Sequence, residues 1–433
     1  MAVIAPQGDL RSTQIAFDVG HTIDQLDVSD TLRQLPDSWP YLLPSWLRTT
    51  EALLTDATPW HSVARRGDEV AVLPAFLFER PGLIDGDPRT YLGWRPASGE
   101  TPCCAANLAC CDDATAAVEG LGIEPFFSAL VLGSPLGYRS EAGSSEPGSD
   151  LLGALVERAV AEARASGVRC VLAPWVADRS GNQQLLDALR REGANVTFWG
   201  EENYLPLEHD SYKQHLSALP GRKRRRIRED YDKAAASGVI VRRVDGPALH
   251  PFVPRIAQLA SLNYQKHDGE EDPADVAALL SALIDDGADV RAYLGSLDGQ
   301  LVASCVFIRH GTRLVAKWVG FDYAALGERS GLYFTLVLDL PLQDAYAERL
   351  TSVEVGPGAD QVKRLRGCRP RAISTALLFM ADEETKVAFT QLQDQFGRDR
   401  RATLDADTST TTGRAKLLGR RRTTSSDSND CCG

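Results

Sequence analysis

Val353-Glu354-Val355-Gly356-Pro357-Gly358-Ala359-Asp360-Gln361-Val362-Lys363-Arg364-Leu365-Arg366-Gly367 is the stretch on which the fold turns. A short β-prone run opens into a Gly-Pro-Gly turn, and a helical turn carrying Lys363, Arg364 and Arg366 follows. Glycines at a strand end let a ligand or another backbone come close, and helix N-termini favour anions. Glu354 stands where the strand empties toward the ligand edge of a sheet, so it is a candidate base. The competing role for Glu354 is an ion pair with Lys363 or a neighbouring arginine.

Upstream, the pattern predicts a helix over 332–349 and a strand over 352–355. Downstream it predicts a helical turn over 360–366 and a strand over 372–380. Further back, 292–308 reads as a hairpin turning at Asp298-Gly299, after a helical stretch over 276–284. The first half repeats this layout. A helix around 46–54 precedes a hairpin in 63–78 that turns at Gly67-Asp68. Leu151, Leu152, Leu155, Val156, Ala159, Val160 and Ala163 then recur at helical spacing, and Gly167 ends the run. A strand over 169–175, a helix over 183–191 and a strand over 195–199 follow. Hairpins followed by alternating helices and strands imply an α/β chain with mixed, α+β-type sheets. Two copies imply a tandem in a pseudo-two-fold arrangement. The expected divisions are a flexible N-terminus at 1–30, a first domain at 31–203, a second at 204–397 and a disordered tail at 398–433. The first domain carries an insertion at 80–125, and 134–149 reads as a second surface loop. The tail is rich in Thr, Ser and Arg and offers too little apolar surface to offset its ordering entropy.

At 433 residues and 43% hydrophobic content the chain is long enough to bury two cores. Its 47 basic and 59 acidic residues give a net charge of −12, which argues against a general nucleic-acid binder. No apolar run reaches the length of a membrane span, and the N-terminus lacks a signal-peptide layout. Nine cysteines, an odd count, suit a reducing cytoplasm. A cytoplasmic protein without membrane insertion is therefore expected. The adjacent pairs Cys103-Cys104 and Cys110-Cys111 are awkward tetrahedral ligands, and no metal is expected.

Six basic residues crowd into positions 222–228, on a segment of high helix propensity closed by Gly238. Their mutual repulsion calls for acidic neighbours or an anionic ligand. The run reads either as a solvated basic helix or as a phosphate or RNA contact, to which arginine is suited by its fork of donors.

The basic helix ending in Gly238-Val239, the Asp298-Gly299 turn, Val319-Gly320-Phe321-Asp322 and the Gly-x-Gly-x4-Lys-x3-Gly pattern at 356–367 occur in a familiar order. Together they resemble the Fem-like and related acetyltransferase-like proteins of the GNAT superfamily, of peptidoglycan- or cellulose-biosynthesis type. The resemblance covers about 204–380; the first half matches by its layout. It implies two fused GNAT-like folds and transfer of an acyl or aminoacyl group to an amine in a biosynthetic pathway. The implied donor is acyl-CoA or an aminoacyl-tRNA, and the acceptor an amine-bearing small molecule or peptide. Coenzyme A users of the superfamily cradle the pyrophosphate with an Arg/Gln-x-x-Gly-x-Gly/Ala loop. The equivalent here is Gly327-Glu328-Arg329-Ser330-Gly331-Leu332, which has Arg329 and Gly331 but not the full spacing. The resemblance thus assigns Arg329, Ser330, Gly331, Gly356, Gly358 and Lys363 to the donor. Glu354, Tyr264 and His310 are the candidate bases, Lys317 and Trp318 would orient substrate, and Arg222 and Arg225 would meet phosphates. The expected activity is N-acyl transfer from acyl-CoA. The alternatives are an aminoacyl-tRNA-dependent Fem-type transferase and a non-catalytic GNAT-like module that binds peptide or glycan.

Overall fold

The Gly-Pro-Gly turn ends the fifth strand of a run ordered Ile240–Asp245, Asp289–Leu297, Gln300–His310, Arg313–Phe321, Ser352–Gly356 and Asn195–Pro206. This is a computed structural model, and it describes residues 14–35, 38–94, 111–137, 139–266, 271–327 and 331–418. The chain forms two units interleaved in sequence. One is Met1–Pro88 with Gly122–Val196 and Thr375–Lys386; the other is Arg89–Leu121 with Thr197–Ser374 and Val387–Gly433.

In the second unit Asp298 and Gly299 take φ of 50° and 79°, the positive values that a tight hairpin turn demands. They join two antiparallel strands whose pairing continues into Arg313–Phe321. There the register jumps from Val306↔Trp318 to Phe307↔Ala316, so Lys317 is the extra residue of a β-bulge. Arg313–Phe321 pairs in parallel with Ser352–Gly356 over three positions only: Arg313↔Ser352, Leu314↔Val353 and Val315↔Glu354. Beyond them it stays with its hairpin partner as far as Phe321↔Ala303. The two parallel strands part at Val315 and Glu354.

The connection between these strands is a helical stretch over 332–347, with a π turn at Thr335–Asp339. Leu332, Leu336, Leu338 and Leu342 bury one core with Ala303, Cys305, Phe307 and Leu314. The helices Val253–Lys266 and Pro273–Asp285 bury Ile256, Leu259, Leu280 and Leu283. The approach of Val253–Lys266 to the strand is close: a Cβ on Gly320 would lie 2.3 Å from the Leu259 carbonyl carbon.

The first unit repeats the scheme. Its strands run Ala57–Pro59, Ala75–Phe78, Ala129–Leu132 and Cys170–Ala177, and the last two pair in parallel from Ala129↔Cys170 to Val131↔Leu172. The crossover is the helix Leu151–Ala165, whose Leu151, Leu155, Val156, Ala159 and Val160 are buried as the spacing predicts. A second sheet holds the hairpin His61–Arg66 and Glu69–Leu73, turning at Gly67. A parallel strand pair joined through a helix therefore occurs in each unit, and the chain is a tandem of two mixed α/β folds.

Four stretches differ from expectation. Within 1–30, Ala16–Gly20 pairs with His61–Arg66, and Ile23, Leu26 and Val28 are buried, because these spaced apolar residues cover the hairpin; residues 1–13 lie outside the described residues. In the stretch 134–149, Arg139, Ser140 and Glu141 are buried: Glu141 accepts from the Trp39 amide and pairs with Arg179 at 2.7 Å. Within the insertion at 80–125, Tyr91 and Leu92 are buried and Cys111–Glu119 is helical. The helix Glu383–Leu418 runs through the first part of the expected tail, because Phe389, Gln393, Phe396 and Arg400 fall on one buried stripe. Residues 419–433, with Cys431 and Cys432, and Cys103, Cys104 and Cys110 lie outside the described residues. Cys170, Cys305 and Cys368 are buried free thiols. Among the described residues no helix is long and apolar enough to cross a membrane, and no cluster of His, Cys, Asp or Glu could hold a metal ion.

Gly320→Ala should lower stability by about 1–3 kcal/mol, since the new methyl meets backbone rather than a movable side chain. Urea unfolding reads this directly, and an unchanged midpoint would refute the packing.

Candidate active site

The parted strands define the candidate site, and the elements around them decide what each residue there is free to do. Ser352–Gly356 is held on its far side by antiparallel pairing, Ser352↔Pro206 through Glu354↔Tyr204. Arg371 reinforces this. Its Nη1 donates to Glu354 Oε2 at 3.0 Å and to Glu202 Oε1 at 2.9 Å, and its guanidinium lies 4.0 Å from the Tyr204 ring centroid. Ser352 Oγ donates to Glu354 Oε1 at 2.8 Å. Glu202 and Glu354 are 1% and 2% exposed, so both depend on this guanidinium for their charge to be tolerated. Burial works against the charge on Arg371, but Glu354 and Glu202 outweigh it and hold the group above its ordinary value. Glu354, the expected base, is thus held by Arg371 and Ser352, the ion-pair role that competed with it. Its neighbours in space come from positions 202 and 371, which its local sequence does not reveal.

The turn after Glu354 carries three positive φ values: Gly356 at 69°, Gly358 at 73° and Ala359 at 51°. A Cβ on either glycine would meet nothing within 4 Å, so the glycines serve the left-handed backbone rather than a close approach. Lys363 is buried, and its Nζ donates to the carbonyls of Val355, Gly356 and Pro357 at 2.8, 3.1 and 2.9 Å. That lysine staples the turn from inside, contrary to its expected place on the donor.

At the head of the crossover, Arg329 and Ser330 lie outside the described residues, and Gly331 is described. Its φ is 72°, and an added Cβ would lie 2.4 Å from the Asp230 carbonyl oxygen and 3.2 Å from Lys233 Cβ. The start of the 332–347 stretch thus presses against the basic helix Gly221–Ala236. That helix is seated by Ile227, Asp230 and Ala234, and Asp230 pairs with buried Arg366 at 2.6 Å. Arg366 lies 3.6 Å from the Phe334 ring centroid and 3.9 Å from Asp339 Oδ1, which also accepts from Tyr212 Oη at 3.1 Å. Burial pushes the Asp339 carboxyl up to about 6, against the pull of Arg366 and Tyr212. Lys223 caps the Arg364 carbonyl at 3.0 Å, and Arg224 caps those of Ser217 and Leu219 at 3.0 and 2.7 Å. Arg222, Arg225, Arg226 and Arg228 remain exposed, two of them sharing Glu229 at 3.6 and 3.8 Å.

His310 sits beside Arg313 in the strand register, and Arg313 opposes Ser352, so His310 lies at the closed end of the parallel pair. Burial and then Arg313 push its imidazole below the ordinary value. From Arg313 to Ala316, the first residue past the parting, an extended strand covers about 10 Å, which sets this histidine back from the opening. Tyr264 is half-buried on the last turn of Val253–Lys266. Lys317, on the bulge, is half-buried with Nζ 5.7 Å from the ring centroid of buried Trp318. Both belong to the segment that has left Ser352–Gly356.

Two participants escaped the sequence reading. Arg371 lies in a β-prone run with no local mark of its two carboxylate partners. Glu271, in Glu270-Glu271-Asp272-Pro273, looks like an ordinary acidic helix start. Its Oε2 is nonetheless buried, and burial raises the carboxyl to about 7 against the opposing influence of Lys317 and Trp318.

Arg371→Met should cost about 3–5 kcal/mol, because two buried carboxylates lose their counter-charge. Glu354→Gln should cost much less. Thermal denaturation of the two variants measures both effects.

Residues 221–364 match the acetyltransferase (GNAT) domain family. Among solved structures the chain is similar to FemX, with 12% identity over 83% of this chain and 96% of that one and a TM-score of 0.51. It is also similar to L-PGS from Bacillus licheniformis, with 14% identity over 61% of this chain and 82% of that one and a TM-score of 0.42. A tandem GNAT protein from the clavulanic acid biosynthesis pathway aligns at 12% identity over 86% of this chain and all of that one, with a TM-score of 0.44. No curated protein sequence matches the chain. Residues 221–364 are thus a segment of the acetyltransferase (GNAT) domain family, and the chain as a whole shares the fold of FemX.

Proposed function

We propose that the second unit transfers an acyl group from acyl-CoA to the amine of a small molecule or peptide in a biosynthetic pathway, in the cytoplasm where coenzyme A is available. The observation that carries this reading is the parallel pair whose last register position is Val315↔Glu354, while Arg313–Phe321 runs on with its hairpin partner to Phe321↔Ala303. A parting of two parallel strands suits an extended amide chain such as the pantetheine arm, and a backbone N–H at such a point suits the oxyanion that forms when an amine attacks the thioester. Gly331 favours phosphate at the other end. Its left-handed backbone has no room for a side chain, and it opens a helix next to the basic helix, where a helix N-terminus favours an anion. In this reading Arg329, Ser330 and Gly331 hold the diphosphate, and Arg222 and Arg225 meet a further phosphate of the donor. Gly356 and Gly358 shape the wall opposite 316–321, and Tyr264, Lys317 and Trp318 stand on the acceptor side.

A second donor, an aminoacyl-tRNA, is favoured by one observation: four arginines of a single helix remain exposed beside the donor loop. Binding through them would weaken steeply with salt.

Thermal shift with acetyl-CoA separates the two. Acetyl-CoA at 100 times its Kd should stabilise the protein by about 2.7 kcal/mol. Charge reversal of Arg222 and Arg225 should weaken that binding while leaving the unliganded melting temperature nearly unchanged. No shift with acetyl-CoA, together with salt-sensitive retention of aminoacyl-tRNA, would replace the first donor with the second.

A further inference from the structure

Glu271 stands just ahead of the helix Pro273–Asp285, whose cap is Asp272, the side chain accepting from the Ala274 amide at 2.8 Å. Asp272 is thus occupied by the helix start, whereas Glu271 Oε2 is buried with no hydrogen-bond partner. A buried carboxylate oxygen with an unused lone pair is costly, and such a group in a native fold calls for an explanation. The groups acting on it are Lys317 and Trp318 from the strand, and Asp275 from the helix, itself influenced by Asp272. Lys317 is the bulged residue and Trp318 the next; the charge of the one and a hydrogen bond from the other reach this carboxyl from the strand that has just left Ser352–Gly356.

We infer that Glu271 is the proton acceptor for the incoming amine, an inference that rests on the transfer proposed above. The amine nitrogen forms a bond to the thioester carbonyl carbon, and the C–S bond breaks with its electron pair leaving on sulfur. The proton lost from nitrogen goes to a Glu271 carboxylate oxygen. The same proton then passes to the coenzyme A thiolate, which restores the carboxylate and balances the step. Lys317 favours the ionised form and keeps the group from staying protonated, while burial keeps it basic enough to accept. Burial raises this carboxyl above the ordinary carboxylate range, toward the neutral pH at which a general base is most effective. Because the folded state holds this carboxyl above its unfolded value, its contribution to stability is present at acid pH. That contribution is lost as pH rises through about 7, so Glu271→Gln should be no less stable than the parent in alkaline buffer.

The test uses the full chain with acetyl-CoA and a panel of simple primary amines, following thiol release against pH. A parallel measurement follows tryptophan fluorescence against pH without substrate. The parent should show a rate limb and a fluorescence change near pH 7. Glu271→Gln should lose both and turn over about 10²-fold more slowly, while its acetyl-CoA-induced rise in melting temperature stays intact. Glu271→Asp should fall between. Retention of the limb or of near-parental turnover in Glu271→Gln overturns the assignment, as does loss of the acetyl-CoA shift, which would mark a structural role. If no amine in the panel reacts, the fluorescence change decides: present in the parent and lost in Glu271→Gln it supports the assignment, and absent in the parent it overturns it. A parent that neither binds acetyl-CoA nor releases thiol ends the donor reading and this inference together, an outcome distinct from all the others.

Discussion

A guanidinium between two buried carboxylates controls the site. Arg371 holds Glu354 on one strand and Glu202 on the next, and so ties Ser352–Gly356 to its antiparallel partner. Arg313–Phe321 is tied the other way, by a continuous ladder to Gln300–His310. Neither strand can follow the other past Val315 and Glu354. The bulge at Lys317 adds local twist at the point of separation. The opening is thus a product of competing loyalties within one sheet rather than of a missing side chain. Its cost is concentrated in a few charged groups that must remain paired.

A second buried ion pair explains how so basic a helix is tolerated. Asp230 and Arg366 join Gly221–Ala236 to the short helix Asp360–Leu365 that follows the Gly-Pro-Gly turn. Lys223 and Arg224 spend their charge on carbonyls. Four arginines are left outward, and Gly331 brings the head of the crossover against the same helix. The basic helix, the head of the crossover at Gly331 and the turn are therefore joined by buried contacts. Substitution at these contacts would be felt at all three.

Much of the local architecture was legible from spacing. Asp298-Gly299 demanded its turn, Gly167 ended its helix, and the repeated order of hairpin, helix and strand announced a tandem. Ala16–Gly20 and Glu383–Leu418 were not legible, because their apolar residues are few and acquire meaning only against the surface they cover. Arg139, Ser140 and Glu141 look like loop residues yet are buried: Arg139 lies over the Trp39 ring, Glu141 pairs with Arg179, and Ser140 donates to the Leu132 carbonyl. The same blindness affected the site. Glu354 and Lys363 are the residue types that chemistry needs, and both are consumed by structure.

The sequence by itself determined which segments become helices and strands, where the turns fall and that a strand would end in a glycine turn beside positive charge. Those outcomes follow from backbone preference and from apolar periodicity, which act over a few residues. Tertiary structure alone decided which charged groups are spent and which are left available. That decision depends on burial and on partners 17 to 169 residues away, such as Glu354 and Glu202 for Arg371. Desolvation makes an unpaired charge costly wherever water is excluded, so only the folded arrangement reveals that Glu354 is neutralised and that Glu271 keeps a lone pair unused.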